Sequence, residues 1–223
     1  MRLKNYLTEL ASNYSKGITM VDIDETLFNT FAKIKVIKNG KVIKELDNQE
    51  FNTYELKPNE SFNFDEFRSA EIFNKTSIPI PQTVNRIKRM IKNIKDRGSK
   101  IVFLTARADF DDKEVFLNTF RKHGIPIDQI YVERSGNDIT GTVSQRKKKI
   151  VLRYLLSGMY RRCRLIDDDL KNLKDFLSIE NELPQNIINK IKEIHHISDD
   201  ETIPVIEFFA LLVKKDGSLK RIK

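Results

Sequence analysis

The residues best suited to chemistry in this sequence are two carboxylates, Asp22 and Asp24, which follow an apolar run at residues 18–21. Short apolar runs of this kind are typical of strands that are buried on both faces. Side chains alternate along a strand, so both carboxylates are expected on the same side. Like charges held this close need a cation or a shared proton between them. The pattern predicts an ion or proton site, with a plain acidic turn as the structural alternative.

Two other apolar runs also end in polar side chains. Residues 101–104 lead into Thr105 and Arg107, and residues 164–166 lead into Asp167 and Asp168. The C-terminal ends of parallel strands lie at one edge of a sheet, where open α/β proteins bind their ligands. We therefore expect the three groups of polar residues to converge.

Such a set of side chains suits phosphoryl transfer. One carboxylate can attack phosphorus to form an aspartyl-phosphate, which divides a difficult hydrolysis into two easier steps. A second can protonate the leaving oxygen and later deprotonate the attacking water. Carboxylate oxygens are hard ligands of the kind that Mg²⁺ prefers, and the metal relieves repulsion between the nucleophile and the phosphate. A hydroxyl and an ammonium group would hold the non-bridging oxygens.

The elements that would position these groups alternate between strand and helix. Strands are predicted near residues 18–23, 101–104, 128–132 and 164–166, and helices near 82–97, 109–122, 144–157, 169–179 and 184–194. This alternation predicts an α/β fold, a Rossmann-like parallel sheet with helices on both faces. An amphipathic helix is also predicted over residues 1–16, and a β-hairpin over residues 204–222 at one edge of the sheet.

Residues 30–80 have a different pattern and predict a small β-rich cap or flap. Asn39-Gly40 separates two alternating runs, which is a strong hairpin signal. The catalytic core would then comprise residues 1–29 and 81–223. The segment is rich in aromatic residues, which we interpret as the core of this lobe, with base stacking as the alternative for one or two of them: Phe51, Tyr54, Phe62, Phe64, Phe67 and Phe73.

Composition narrows the class of protein. The chain has 223 residues, of which 39% are hydrophobic and 32% charged, as expected of a globular protein rather than a disordered one. Its single cysteine excludes an internal disulfide, and no apolar run is long enough to span a bilayer, so we expect a cytoplasmic protein. A formal net charge of +8 favours anionic partners, although solvated surface lysines also explain it.

In order along the chain, the three strand ends resemble the first, second and fourth motifs of the haloacid dehalogenase (HAD) superfamily of phosphatases. The resemblance covers about residues 18–30 and 98–178, and extends to phage-encoded members, including the phosphatase domain of bacteriophage polynucleotide kinase/3′-phosphatase. It implies a HAD-like fold with Asp22 as the nucleophile and Asp24 as the general acid/base. A phage protein of this kind would act in the host cytoplasm.

The same resemblance assigns the remaining site residues. Thr105 would hold the phosphoryl group, and Arg107 and Thr26 would contact the substrate. Mg²⁺ would be bound by Asp22, Asp24 (through its backbone carbonyl), Asp167 and Asp168. The third motif is a single lysine, for which residues 147–149 all compete; the spacing before the acidic pair in the phage enzymes favours Lys148. Helical geometry allows only one of the three to point inward.

We expect from these residues a Mg²⁺-dependent phosphomonoester hydrolase whose substrate is a nucleotide or a 3′-phosphorylated nucleic acid end. The alternatives are a phosphatase of sugar phosphates or other small metabolites, a binding module that has lost turnover, and a basic nucleic-acid-binding protein without catalysis. A membrane partner is not expected.

Overall fold

The computed structural model describes residues 16–94, 98–198 and 204–223, and the helix predicted over residues 1–16 lies outside them except for its last residue. In chain order the strands are β1 (Gly17–Val21), β2 (Phe28–Asn29), β3 (Ile34–Lys38), β4 (Lys41–Leu46), β5 (Glu60–Asn63), β6 (Ile78–Pro79), β7 (Lys100–Thr105), β8 (Tyr131–Arg134), β9 (Arg162–Asp167), β10 (Glu207–Val213) and β11 (Leu219–Arg221). The α-helices are α1 (Asn48–Thr53), α2 (Asp65–Arg68), α3 (Ala70–Thr76), α4 (Pro81–Ile94), α5 (Lys113–Lys122), α6 (Val143–Leu155), α7 (Leu170–Glu182) and α8 (Gln185–His195).

A mostly parallel sheet forms the centre of the molecule, with strand order β11-β10-β9-β1-β7-β8. Neighbouring strands are parallel except for β10 and β11, which form the predicted antiparallel hairpin at the edge. Because β1 lies between β9 and β7, the ends of all three strands that carry the predicted site residues are adjacent. The α/β prediction is confirmed, and the architecture is compatible with a Rossmann-like fold.

Helices cover both faces of this sheet, because its central strands carry apolar side chains on both. On one face, α6, α7 and α8 pack over side chains that include Met20, Leu165 and the buried thiol residue Cys163. On the other face, α3, α4 and α5 pack over Val21 and Phe103. The two cores bury most of β1 and β7 and the C-terminal half of β9, which accounts for the continuous apolar runs in the sequence.

Residues 34–63 build the predicted hairpin and a separate three-stranded sheet, with strand order β4-β3-β5. Asn39 and Gly40 both have positive φ, 51° and 74°, as a two-residue type I′ turn requires. The lobe has its own small core, in which Ile34, Val36 and Leu46 are buried, and the aromatic rings pack against it: Phe51, Tyr54, Phe62 and Phe67. The interpretation as core of this lobe is confirmed for these four rings, but not for Phe64, which is 40% exposed.

The last part of residues 30–80 packs with the main core instead. Phe73 of α3 is buried among Phe28, Phe116 and Phe120, with ring centroids 5.4 to 6.1 Å apart. Strand β6 pairs with β2, so the two chain segments that lead into and out of the lobe lie side by side. Pro81 is the first residue of α4, a position where the missing N–H of proline costs no hydrogen bond.

Two elements start later in the chain than predicted, each for a local reason. Helix α5 starts at Lys113, not residue 109, since the Asp112 carboxylate accepts a hydrogen bond from the Val115 N–H. Strand β8 starts at Tyr131, because residues 127–129 form a short 3₁₀ turn. Among the described helices, none combines the length and apolar character that crossing a membrane needs.

Candidate active site

Three carboxylates converge at the C-terminal ends of β1 and β9. Oxygen atoms of Asp22, Asp167 and Asp168 all lie within 4.8 Å of one another. The register brings them together: Val21 pairs with Ile166, and the Asp22 N–H donates to the Ile166 carbonyl at 2.9 Å. The predicted convergence of these two strand ends is therefore confirmed, and the group could hold a metal ion.

A single lysine, Lys147, lies between two of these carboxylates. Its ammonium group is 2.7 Å from Asp22 Oδ1 and 2.8 Å from Asp167 Oδ2, and its side chain is only 4% exposed. The carboxylates raise its pKa even though burial opposes the charged form. Lys147 is therefore a permanent positive charge at the centre of the cluster.

The prediction that Lys148, rather than Lys147, points into the site is wrong. Its ammonium group turns away and binds the Ser178 hydroxyl and the Glu182 carboxylate. Lys149 points in a third direction, to Asp138 and Thr140. Only one of three consecutive helical residues can face inward, since each turns about 100° from the last.

A pattern in the sequence could have identified the correct lysine. The buried positions of α6 are Ser144, Lys147, Val151 and Leu155, at intervals of three, four and four residues. Lys147 thus lies on the apolar stripe of its helix, and Lys148 does not. Helical periodicity was a better guide than distance from the acidic pair.

Asp167 is fully buried and held by groups besides Lys147. The Asn172 amide donates to both of its carboxylate oxygens, at 2.9 and 3.1 Å, and the Asp169 N–H donates to Oδ1 at 2.9 Å. Asn172 was not foreseen, because an asparagine in the first turn of a helix has no distinctive sequence pattern. Asp169 itself caps α7 by accepting a hydrogen bond from the Lys171 N–H.

The Asp24 carboxylate points to a different set of partners. Arg107 donates to it from Nε and Nη2, with the shortest distance 2.7 Å, and the Thr30 hydroxyl donates to Oδ1 at 2.8 Å. Burial alone would raise the pKa of Asp24, but these donors, Arg107 above all, lower it overall. Asp24 is therefore a carboxylate in this structure. Thr30 was not foreseen as a site residue.

Arg107 was predicted to contact the substrate, but in this structure its guanidinium binds groups of the protein itself. Its side chain is 1% exposed, and its Nη1 donates to the Phe67 carbonyl at 3.0 Å. The rings of Phe67, Phe73 and Phe110 surround the guanidinium at 4.4 to 5.6 Å. As it stands, Arg107 orients Asp24 and ties the lobe to the core.

The two predicted threonines are also buried against carboxylates. The Thr105 hydroxyl donates to Asp24 at 3.3 Å and accepts from the Arg107 N–H. The Thr26 hydroxyl donates to Asp168 Oδ1 at 3.1 Å and is fully buried, so it supports that carboxylate rather than offering a free substrate contact.

The loop after β8 holds the Thr105–Arg107 segment in place. The Ser135 hydroxyl donates to the Thr105 carbonyl at 3.0 Å, and the Gly136 N–H donates to the Arg107 carbonyl at 3.2 Å. A Cβ at Gly136 would lie 2.4 Å from the Ala106 carbonyl oxygen. Glycine is required here by the close approach of two backbones.

The carboxylates carry more charge than their cationic partners balance. Four of them, Asp22, Asp24, Asp167 and Asp168, face Lys147 and Arg107, which leaves a formal charge of −2 when all are ionised.

The environment of the cluster also favours protonation of two of its carboxylates. Burial raises the pKa of Asp168 to about 7, with Asp167 adding to the effect, and burial also raises the pKa of Asp22 although Lys147 opposes it. The cluster has the charge and the hard oxygen donors that suit a divalent cation.

No protein-family model matches this sequence, and no curated protein matches it.

Proposed function

We propose that this edge of the sheet is the active centre of a Mg²⁺-dependent phosphomonoester hydrolase of the HAD type. The observation that carries the proposal is the convergence of Asp22, Asp167 and Asp168 around Lys147, at strand ends whose sequences resemble the HAD motifs. Asp22, Asp168 and Asp167 would hold the metal, which supplies positive charge between the nucleophile and the phosphate.

In the first half-reaction, an Asp22 oxygen attacks phosphorus and the bond from phosphorus to the ester oxygen breaks. The Lys147 ammonium, 2.7 Å from Asp22, stands where it can also neutralise phosphoryl oxygens. Asp24 gives its proton to the leaving alcohol. In the second half-reaction, Asp24 takes a proton from water, the water oxygen bonds to phosphorus, and the aspartyl bond breaks to release phosphate and restore Asp22.

Arg107 favours the second half-reaction over the first. By lowering the pKa of Asp24 it keeps the carboxylate ready to accept a proton from water. A phosphate that enters the site brings negative charge, which raises the pKa of nearby carboxylates. Substrate binding would thus supply the conditions under which Asp24 carries the proton that the first half-reaction needs.

A nucleotide or a 3′-phosphorylated nucleic acid end is the favoured substrate. The formal net charge of +8 supports an anionic partner, and the lobe of residues 34–63 is small enough to leave room for an extended substrate. The lobe also exposes an aromatic side chain, since Phe64 is 40% exposed. Small-metabolite phosphates are the alternative substrates.

The test is phosphate release from a mixed panel: an aryl phosphate, 5′- and 3′-nucleotides, a 3′-phosphorylated oligonucleotide and several sugar phosphates, each with Mg²⁺ and with chelator. We expect chelator-sensitive release that is fastest on the nucleotide or oligonucleotide. Release that is equally fast with chelator would contradict the metal-dependent mechanism. No release from any substrate would favour a binding protein that keeps the cluster without turnover.

A further inference from the structure

A second charged feature lies on the face of the central sheet opposite α6, the helix that carries Lys147. Arg162 and Arg164 of β9 project from one face, and Phe209 of β10 is level with Arg164. Arg221 of β11 lies on the same face, because it pairs with the residue two positions beyond Phe209. With Arg86 of α4, whose charge also acts on Arg164, these residues form what we call the arginine cluster: Arg86, Arg162, Arg164 and Arg221.

The positive charges of this cluster are poorly compensated. Arg162 pairs with Glu207 at 2.8 Å, whereas the described part of the chain supplies Arg86, Arg164 and Arg221 with no ion pair. Burial lowers the pKa of Arg164, and the other three arginines add to the effect. Partly burying a cation among like charges costs free energy, which a bound anion would offset.

Phe209 holds two of these side chains in fixed positions. The guanidinium carbons of Arg164 and Arg221 lie 5.5 and 5.4 Å from the centre of its ring. Ring contacts leave the in-plane N–H groups of a guanidinium free, and these are the donors that match phosphate oxygens in pairs. The arrangement is therefore preorganised for phosphate rather than merely positive.

Two further features of the arginine cluster are the cavity beside it and its width. An open cavity of about 250 Å³ is lined by Arg162, Arg164 and Phe209 together with Met90 and Asn93 from the last turn of α4. Strands β9 and β11 are separated by β10, so the cluster is about 10 Å across, at roughly 4.8 Å between neighbouring strands. That width exceeds a single phosphate group and suits several phosphates in succession.

We propose that the arginine cluster binds the phosphodiester backbone of a single-stranded nucleic acid. Charge complementarity and the paired donors favour phosphate, the width favours a chain of phosphates, and the recess beside Phe209 favours a flexible single strand over a rigid duplex. The site stands independently of the proposed hydrolysis, because it lies on the face of the sheet opposite α6, the helix that carries Lys147. On β9, Arg164 is three residues from Asp167, or about 10 Å along the strand.

The experiment measures the binding of a fluorescent single-stranded oligonucleotide as the NaCl concentration is raised. The oligonucleotide has ~20 nucleotides, which is long enough to span several phosphate contacts. All variants are made in the Asp22→Asn background and are measured with chelator, so that the oligonucleotide is not hydrolysed during the measurement. Arg164→Gln/Arg221→Gln removes two charges from the cluster; Lys174→Gln/Lys190→Gln removes two exposed charges from α7 and α8, on the other face of the sheet. Arg86→Gln/Arg221→Gln, which changes only exposed side chains, tests the cluster without touching half-buried Arg164.

We expect both arginine pairs to lower the salt slope by about 1.4, at roughly 0.7 for each phosphate that is no longer neutralised, and to weaken binding on the order of tenfold. The lysine pair should match the parent protein. Equal losses of affinity in the arginine and lysine pairs, or no loss in either arginine pair, would overturn the proposal. Full displacement of the oligonucleotide by inorganic phosphate at a few millimolar would also overturn it, because the site would then recognise a single small anion.

Discussion

Two regions of the central sheet hold opposite charges under opposite conditions. At the C-terminal ends of the strands, Asp22 and Asp167 are almost completely buried and share Lys147. On the face opposite α6, Arg164 is half-buried and three members of the arginine cluster have no carboxylate partner among the described residues.

Burial and pairing determine what each region can do. Buried charges are tolerated only when they are paired, so the carboxylate end has fixed geometry and shifted pKa values, as chemistry requires. Partly solvated arginines pay less for remaining unpaired, so they can exchange water for a ligand. The proposed reaction centre and the proposed binding surface thus lie in separate regions of the same sheet.

The largest expected effect comes from removing the proposed nucleophile. Asp22→Asn should reduce phosphate release on the order of 10⁴-fold or more, because an amide cannot form the aspartyl-phosphate. The matched control is Asp169→Asn, two residues from Asp167 but serving as a helix cap, a role that asparagine performs equally well. Steady-state kinetics on both variants decides the point; comparable rates for the two would remove Asp22 from the reaction.

The next effect separates the two neighbouring lysines. Lys147→Ala leaves Asp22 and Asp167 buried without their cation and should cost about 3–5 kcal/mol in the free energy of unfolding, along with activity. Lys148→Ala breaks a partly exposed pair with Glu182 and should cost less than about 1 kcal/mol.

Urea denaturation of both lysine variants measures the difference, and Lys147→Met serves if the alanine variant does not fold. A Lys148 variant that is the less stable and less active of the two would reverse the assignment.

Metal binding should stabilise the folded protein even without substrate. With free Mg²⁺ at about 100 times its dissociation constant, linkage predicts about 2.7 kcal/mol of added stability. For a chain of this size that corresponds to a rise in Tm of about 5–10 °C. Asp168→Asn should reduce the rise, and Asp138→Asn, which changes an exposed loop carboxylate, should leave it intact. Thermal scans that show no Mg²⁺-dependent shift in the parent protein would count against the metal site.

The smallest of these effects concerns the loop that supports Thr105 and Arg107. Gly136→Ala forces a Cβ against the backbone at Ala106 and should cost about 1–3 kcal/mol and part of the activity. Gly17→Ala is the control, because its nearest neighbour would lie at an ordinary 3.5 Å. Tm and kcat are measured for both; a Gly136 variant as active and stable as the Gly17 variant would show that this approach is unimportant.

Much of the fold followed from local patterns. The apolar runs at residues 18–21 and 164–166 gave the central strands, and Asn39-Gly40 gave the turn of the hairpin, because backbone conformation there depends on neighbouring residues alone. The convergence of Asp22 with Asp167 and Asp168 followed from the geometry of parallel sheets.

What could not be predicted depends on side chains from distant parts of the sequence. The pairing of Asp24 with Arg107 requires the relative positions of β1 and β7, 83 residues apart, together with the aromatic rings that enclose the guanidinium. The arginine cluster joins α4, β9 and β11, so no single stretch of sequence contains it. Lys147 was within reach of sequence analysis, but only from the apolar stripe of its own helix.

The most direct test of the central claim is to trap the phosphorylated enzyme. The protein is mixed with the best phosphate-labelled substrate of the panel, quenched in acid after short times, and the labelled peptide is mapped. We predict label on Asp22 that disappears as turnover ends and is absent from Asp22→Asn. With an aryl phosphate, whose leaving group needs no proton, the label should accumulate in Asp24→Asn because the water is no longer deprotonated. Turnover with no label on any carboxylate, or label on a residue other than Asp22, would contradict the account.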